Sequence, residues 1–348
     1  MNPFPVDAER IQRASRAFVA RRVHPAAMLG LTADASPRAG DLLLARVQRV
    51  GHHGRLHLPT GGRRNLFEGD EIVVAYGARY APRQFEAVVP TRLEPCHLVA
   101  GGGIAARAVS WHARIRRGPT AIAPLGLVTD ASGRPINLAD WALPVAPDLG
   151  AERPRTIAVL GSSMDAGKST AAAHLVRGLL RLGLRPGYAK LTGTGAGGDV
   201  WLAEDAGARP ALDFTDAGFA STYQVPPREI ERIARTLMAG LAGARVDVAV
   251  LEVADGLLQP ETAALVRADW FARMIDGALF AAGDAMAALA GVQLLRALRL
   301  PVLACTGRLT SSPLEEREAA QATELPVLSP REIADPVTAQ KLVDHAHG

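Results

Sequence analysis

The chain has 348 residues, of which 48% are hydrophobic and 21% charged, with a formal net charge of +4. This is ordinary for a globular protein and leaves room for two domains with well-developed cores. The positive charge comes from scattered arginines rather than a basic tail, so we expect no nucleic-acid partner. Two cysteines, Cys96 and Cys305, are too few for a disulfide framework and lack metal-ligand spacing.

Targeting signals and membrane spans are also not expected. The N-terminal sequence lacks the apolar core of a signal peptide. The apolar stretch 277–295 contains Asp284, and its alanines and glycines suit a packed helix better than a membrane span. We therefore expect a cytoplasmic protein with no membrane partner.

The first 150 residues favour a β-rich domain. Residues 7–22 have the pattern of an amphipathic, arginine-rich surface helix. Short strands between Gly, Asn, Pro and Asp turns then predict a small barrel or sandwich at about 40–90. His52, His53 and His57 fall in one of its hairpins, where an exposed turn is favoured over a metal site because no carboxylate or cysteine joins them. The strands are predicted at 42–47, 54–58, 71–76 and 86–89.

Residues 96–118 predict a strand end, a glycine turn and a helix. The turn is the simplest interpretation, and the alternative is a substrate-facing loop that carries Arg107 and His112. The segment 144–154 contains three prolines and predicts the linker into a second domain. Further strands are predicted at 120–128 and 135–138.

A phosphate-binding loop is the most informative feature of the chain. An apolar strand at 156–160 leads into a loop, and a helical pattern follows over 171–182, which is the context that a P-loop requires. Gly167 would let the backbone approach a polyphosphate, and the following helix N-terminus would add partial positive charge. Lys168 would reach the β- and γ-phosphates, and Ser169 would hold Mg²⁺. The predicted cofactor-binding residues are Ser162, Ser163, Met164, Asp165, Ala166, Gly167, Lys168, Ser169 and Thr170.

The motif departs from GxxxxGK[ST] at Ser162, where glycine is expected, although Gly161 comes just before it. The lysine content nevertheless favours phosphate binding, because the chain has only Lys168, Lys190 and Lys341. Arginine, which takes the other basic positions, cannot replace a compact ammonium inside a phosphate cradle. Two of the three lysines fall in the motif and at the end of the next predicted strand.

From residue 155 onward, apolar strands alternate with helical patterns. This alternation predicts a mostly parallel sheet with helices on both faces. Ligands of such sheets bind at the carboxyl ends of the strands, so we expect the chemistry there. The strands are predicted at 156–160, 186–191, 246–253, 278–281 and 301–306.

Polar residues follow the second predicted strand. Lys190 ends it and would add positive charge for phosphoryl transfer, and a glycine-rich stretch follows. Asp213 and Asp216 are spaced three apart near a predicted helix start, where one of them could instead be a cap. Contacts to a small-molecule substrate are predicted at Thr192, Gly193, Thr194, Asp199, Asp213 and Asp216.

An apolar run then ends in acidic residues. Glu252 is predicted to be the second Mg²⁺ partner, directly or through water. Asp255 is a candidate substrate contact or general base, whereas Asp247 begins the same strand and lies at its wrong end. Polar residues at 306–310 follow the last strand, where a nucleotide base often lies.

The segment 161–170, followed by a helix and a strand that ends in Lys190, resembles the dethiobiotin synthetase and cobyric acid synthase branch of P-loop proteins. That branch also lacks the first glycine of the motif. The resemblance covers roughly 155–310. It implies phosphorylation of a carboxylate or carbamate, with ATP and Mg²⁺ as cofactors, and homodimers are common in the branch.

Other segments of the sequence resemble more closely a two-domain family that includes D-glutamate N-acetyltransferase-like proteins. Members of that family also place a smaller N-terminal domain before the P-loop domain. This resemblance implies that the loop holds the phosphates of a cofactor such as acyl-CoA. Molybdopterin-guanine dinucleotide accessory proteins share the class. The residues that carry this second resemblance are Thr192-Gly193-Thr194-Gly195, Asp213-Phe214, and Glu252 followed by Gly256.

The sequence therefore predicts an α/β protein with two domains. Residues 1–150 form the smaller, β-rich α+β domain, and residues 151–348 form a P-loop NTPase domain with a mostly parallel sheet. The favoured function is an ATP- and Mg²⁺-dependent kinase or ligase acting on a small carboxylate-bearing metabolite, with Lys168, Lys190 and Asp255 as catalytic groups. The alternatives are an acyl-CoA-dependent N-acyltransferase and a GTP-binding accessory protein of cofactor biosynthesis.

Overall fold

A computed structural model describes residues 4–145 and 153–346. The predicted domain boundary at residue 150 lies outside the described residues, as do residues 146–152 of the predicted linker. The chain forms two compact units. The first comprises Met1–Leu143, Thr194–Gly198 and Phe214–Gln224, and the second comprises Pro144–Gly193, Asp199–Asp213 and Val225–Gly348.

The first unit is rich in short strands. It also has short 3₁₀ helices at Phe18–Ala20, Pro25–Ala27 and Leu138–Trp141. Its helix and strands are α1 (Phe4–Arg13), β1 (Ser15–Arg16), β2 (Gly30–Thr32), β3 (Leu42–Arg49), β4 (Arg55–His57), β5 (Arg63–Asn65), β6 (Glu71–Tyr76), β7 (Arg79–Tyr80), β8 (Phe85–Val88), β9 (Cys96–Ala100), β10 (Ile104–Trp111) and β11 (Thr120–Thr129).

Five of these strands close into a small barrel. Their order is β6-β3-β11-β9-β10, and β10 also pairs with β6 through Ile104↔Ala75 and Ala105↔Tyr76. Closure leaves the five strands with partners on both sides, which removes the exposed edges of an open sheet. The predicted barrel at 40–90 is too short, because β9, β10 and β11 all come later in the chain.

The predicted surface helix at 7–22 is wrong in its second half. The helix α1 ends at Arg13, and β1 then pairs in parallel with β6. Residues 17–20 are buried. The stretch therefore belongs to the core, where burial and strand pairing outweigh its helical pattern.

The predicted helix within 96–118 is also wrong. These residues form β9, a glycine turn and β10, and Ile104, Ala105 and Ala106 are fully buried. The alanines favour a helix locally, but β10 pairs with β6, β8 and β9, and these non-local partners decide its conformation. Arg107 consequently lies on a strand rather than in a substrate-facing loop. The predicted strand at 135–138 is reduced to isolated bridges, Thr129↔Pro135 and Asp41↔Asn137.

The second unit alternates strands and helices. Its elements are β12 (Arg155–Gly161), α2 (Lys168–Arg181), β13 (Pro186–Lys190), α3 (Gly197–Ala206), β14 (Ala211–Asp213), α4 (Pro227–Gly243), β15 (Val248–Glu252), α5 (Pro260–Val266), α6 (Asp269–Met274), β16 (Gly277–Ala281), α7 (Ala285–Ala297), β17 (Val302–Thr306), α8 (Pro313–Thr323), α9 (Pro330–Ile333) and α10 (Pro336–His345).

The six strands of this unit form one parallel sheet in the order β14-β13-β15-β12-β16-β17. The parallel sheet and its five predicted strands are confirmed. From β12 the chain crosses to β13 and β14 on one side of the sheet and returns to β15, which lies between β13 and β12. It then adds β16 and β17 on the other side of β12, so the strand order changes direction beside β12. Ligands of such sheets bind at the carboxyl edge near this change of direction.

Two local predictions in the second unit need correction. The stretch 277–295 is a strand followed by α7, and Asp284 is the N-cap that separates them by accepting a hydrogen bond from Ala287 N. The edge strand β14 was not predicted. It ends at Asp213, and turns rather than a helix start follow it, since α4 begins only at Pro227. No helix in the described ranges is long and apolar enough to cross a membrane.

The packing of α7 on the sheet leaves no room for a side chain at Gly291. A Cβ there would lie 2.0 Å from Cζ of Phe280, a fully buried ring on β16. We expect Gly291→Ala to lower the free energy of unfolding by about 1–3 kcal/mol, because the ring must shift within a packed core. Chemical denaturation monitored by circular dichroism measures this loss.

Gly243→Ala is the matched control, since that helical glycine has no atom within 4 Å of a Cβ. It should leave stability unchanged or raise it by up to about 1 kcal/mol. Equal effects of the two substitutions would contradict the assigned packing of α7.

Candidate functional site

The loop between β12 and α2 has the backbone of an anion cradle. Gly167, at the N-cap of α2, has a φ of 108°, and Asp165 has a φ of 63°. At the start of the loop, Ser162 N donates to Ala281 O of β16 at 2.9 Å. The loop therefore leaves the sheet at an anchored point and delivers the helix N-terminus, with its partial positive charge, to the carboxyl edge.

Lys168 folds back over this loop. Its Nζ donates to Ser163 O at 2.8 Å, and the residue is only 6% exposed. Burial lowers the pKa of Lys168, and the nearby carboxylates of Glu252 and Asp255 partly oppose this shift. A Cβ on Gly161 would lie 2.8 Å from Lys168 Cγ, so the glycine makes room for the lysine stem. In the sequence, only the position of Gly161 just before Ser162 pointed to it.

Two later loops brace the phosphate-binding loop through glycines. A Cβ on Gly256, after β15, would lie 2.2 Å from Ser162 O. A Cβ on Gly307, after β17, would lie 2.4 Å from Ala166 O, and Arg308 N donates to the same oxygen at 3.0 Å. These contacts hold the phosphate-binding loop from both sides. In the sequence, the only sign of them is an isolated glycine after each of the two strands.

The buried carboxylate of Glu252 links three elements at the sheet edge. Ser169 Oγ of α2 donates to its Oε1 at 2.9 Å, and Tyr188 Oη of β13 donates to its Oε2 at 2.8 Å. Lys190 Nζ lies 3.4 Å from Oε1. The carboxylate is 1% exposed and so exchanges the hydrogen bonds of water for these partners. The predicted pair of Ser169 and Glu252 is thus brought into direct contact.

Lys190 also forms an ion pair with Asp199 in the first turn of α3. Burial alone would lower the pKa of Lys190, but the charges of Asp199 and Glu252 raise it above its ordinary value. Burial alone would raise the pKa of Asp199, but Lys190 and the Ser169 hydroxyl lower it. At neutral pH the cluster therefore holds the ammonium of Lys190 against the ionised carboxylate of Asp199.

Other predicted substrate contacts in this unit have structural partners. The Thr192 hydroxyl accepts from Ala254 N at 2.9 Å and lies 3.3 Å from Ala254 O, which ties together the loops after β13 and β15. Asp213 is buried and lies opposite Lys190 in the pairing of β14 with β13. Gly193 has a φ of 131° and Asp255 a φ of 61°, so both occupy tight turns at the carboxyl edge.

Thr194 and Asp216 are placed in the first unit instead. Thr194 forms a bridge with Ser221. The carboxylate of Asp216 forms ion pairs with Arg21 at 2.5 Å and Arg22 at 3.6 Å. The prediction that Asp216 stands near a helix start is therefore wrong, and its carboxylate holds the segment that follows α1.

The donor set at the sheet edge fits Mg²⁺. Ser169, Glu252 and Asp199 supply only oxygen atoms, the ligands that this hard cation prefers. Across the described residues, no group of three or more His, Cys, Asp or Glu side chains is arranged to hold a metal ion. Mg²⁺ commonly takes one or two protein oxygens and fills its remaining positions with water and ligand phosphates.

No family model and no curated protein matches this sequence. Solved structures to which the chain is similar include the signal recognition particle 54 kDa protein of Aeropyrum pernix in complex with GDP, at 16% identity and a TM-score of 0.36, covering 58% of this chain and 50% of that one. The signal recognition particle receptor FtsY of Elizabethkingia anophelis in complex with GDP has 15% identity and a TM-score of 0.38, covering 56% of this chain and 64% of that one. The kinase domain of the Escherichia coli tyrosine kinase ETK has 12% identity and a TM-score of 0.33, covering 44% and 66%.

The chain thus spans half the length of the first of these proteins and less than two thirds of the second. At such identities and TM-scores these likenesses carry no conclusion about this chain. None of the three is a dethiobiotin synthetase or a D-glutamate N-acetyltransferase, so the resemblance drawn from the sequence stays a prediction.

The cluster around Glu252 makes Lys190 a structural as well as a chemical residue. We expect Lys190→Met to lower the free energy of unfolding by about 3–5 kcal/mol at pH 7, because the buried carboxylate of Glu252 and the half-buried carboxylate of Asp199 lose their cation. The loss should shrink at acidic pH, where protonation of Asp199 removes part of the negative charge that has lost its cation. The wild-type contribution of Asp199, whose pKa is lowered, is present above its unfolded pKa and disappears in acid.

Urea denaturation at pH 7 and at acidic pH measures the loss of stability. Lys341→Met is the control, since Lys341 is exposed on α10. It should change stability by less than about 0.5 kcal/mol. A loss in Lys190→Met that is small at pH 7, or that does not depend on pH, would contradict the assigned cluster.

Proposed function

We propose that the second unit binds ATP with Mg²⁺ and transfers the γ-phosphoryl group to a small carboxylate-bearing metabolite. The observation that carries this proposal is the joint position of Lys168 over the loop and of Ser169 in contact with Glu252. Together they combine the ammonium, the hydroxyl and the carboxylate that phosphoryl transfer requires.

Binding would begin at the loop. The ammonium of Lys168 would exchange its contact with Ser163 O for phosphate oxygens, which are stronger acceptors for a cation. Backbone N–H groups of the loop and of the first turn of α2 would supply further donors. Because Lys168 is already buried and positioned, little side-chain entropy is lost when the ligand arrives.

Ser169 and Glu252 would hold Mg²⁺, with Asp199 in reach through Ser169. When bound, this ion would neutralise charge on the β- and γ-phosphates. Lys190 would offset the charge of both carboxylates and present its own positive charge at the edge where the phosphoryl group moves.

Asp255 would contact the acceptor. It follows β15 directly, in the turn that also carries Gly256 against the loop. A carboxylate acceptor has no proton to lose and would repel an ionised Asp255, so Asp255 would instead accept a hydrogen bond from another part of the substrate and orient it. If a second substrate brings an amine, Asp255 would accept the proton that the amine releases.

Lys168→Ala tests the nucleotide site. Wild-type protein with MgATP at about 100 times its dissociation constant should gain roughly 2.7 kcal/mol of stability, visible as a higher melting temperature. The variant should fold but lose most of this gain, whereas Lys341→Ala should keep it. A variant that is stabilised by MgATP as strongly as the wild type would contradict the proposal.

The identity of the ligand and the need for metal form a separate prediction. We expect stabilisation by ATP to fall when Mg²⁺ is removed with EDTA, and Ser169→Ala to reduce the dependence on Mg²⁺ because the hydroxyl ligand is lost. The same thermal shifts with GTP and acetyl-CoA provide the comparison. Stabilisation by acetyl-CoA without metal would overturn the proposal in favour of acyl transfer, and stabilisation by GTP alone would favour an accessory protein.

A further inference from the structure

A small basic pocket lies in the first unit beside the hairpin of β4 and β5. Its volume is about 270 Å³, and its lining includes three arginines, Arg55, Arg63 and Arg79. Three histidines also line it, and no carboxylate is among the described residues that do so. The volume is below that of most drug-sized ligand sites, so the pocket suits a small metabolite better than a nucleotide.

Arg79 is the fixed cation of this pocket. It is 6% exposed, and its Nη2 donates to Gln84 Oε1 at 2.6 Å. Its Nη1 lies 2.9 Å from His53 Nε2, and since a guanidinium has no acceptor, this nitrogen of His53 accepts. Burial, followed by the charge of Arg79, lowers the pKa of His53 to about 2, so the ring is neutral at physiological pH. A neutral histidine and an amide therefore orient the guanidinium.

His57 adds a donor with a defined tautomer. Its Nδ1 accepts from Gly197 N at 3.1 Å, which leaves Nε2 to carry the proton. A Cβ on Gly101 would lie 3.2 Å from that Nε2, so the glycine keeps the wall beside the ring open. The histidines that the sequence placed in an exposed turn thus belong in part to a pocket wall.

We propose that this pocket binds the carboxylate or phosphate group of a small anionic metabolite. The guanidinium of Arg79, held by His53 and Gln84, supplies a fixed positive charge at the pocket wall, which favours such a group. Arg55 and Arg63 are exposed beside the pocket and attract anions to it, and the ring of His57 lines its wall. The site lies within the first unit, and no residue of the phosphate-binding loop lines it.

Isothermal titration calorimetry of the full chain with inorganic phosphate and, separately, with succinate measures this binding. Arg63→Glu should weaken binding by about tenfold or more, because it reverses a charge beside the anion. Arg92→Glu is the matched control, since Arg92 is also exposed but does not line the pocket, and it should bind like the wild type. Lys168→Ala should bind succinate like the wild type. Phosphate is titrated into Lys168→Ala as well, so that the proposed nucleotide site does not contribute to the measured binding.

A second variant addresses the buried cation. Arg79→Gln should abolish binding, and a circular dichroism melt shows whether it remains folded; Arg55→Glu replaces it if it does not. Binding of phosphate alone assigns a phosphate group, binding of succinate alone assigns a carboxylate, and binding of both supports the shared anion chemistry. The inference is overturned if neither probe binds at millimolar concentration, if Arg63→Glu and Arg92→Glu behave alike, or if Lys168→Ala abolishes binding.

Discussion

The carboxylate of Glu252 is the constraint on which the site depends. A carboxylate that is 1% exposed is costly unless it is hydrogen-bonded and paired with a cation. Ser169, Tyr188 and Lys190 meet that requirement, and they come from α2 and β13. Satisfying this one group therefore fixes the first turn of the helix and the end of the neighbouring strand relative to β15. The same contacts bring a hydroxyl, two carboxylates and an ammonium to one edge of the sheet.

The shape of the phosphate-binding loop depends on where side chains are missing. Gly161 leaves room for the stem of Lys168, while Gly256 and Gly307 let two other loops reach its backbone. Ser162, which stands where the motif expects glycine, is not among the residues with a positive φ, whereas Asp165 and Gly167 are. The departure from the motif therefore causes no backbone strain. Gly161, one position earlier, is the glycine that leaves room for Lys168.

The first unit shows how distant parts of a chain can share one core. Residues 194–198 and 214–224 belong to it, and they pair with each other through Thr194 and Ser221. No pattern in the sequence signalled this, because a bridge of single residues leaves no periodicity. The ion pair of Arg21 with the buried Asp216 also leaves no local pattern in the sequence. Each residue by itself is an ordinary charged residue, and only the contact between them explains why Asp216 can be buried.

By itself the sequence determined the parallel sheet of the second unit and the loop after β12. Apolar runs of strand length ending in polar residues are local signals, and parallel strands bring those ends to one edge, which is why the contact of Ser169 with Glu252 could be anticipated. Tertiary structure alone decided that the alanine-rich β10 is a strand, that Asp216 pairs with arginines, and that Arg79 and His57 line one pocket. These outcomes depend on partners far away in the chain, whose pairing and burial outweigh local preference.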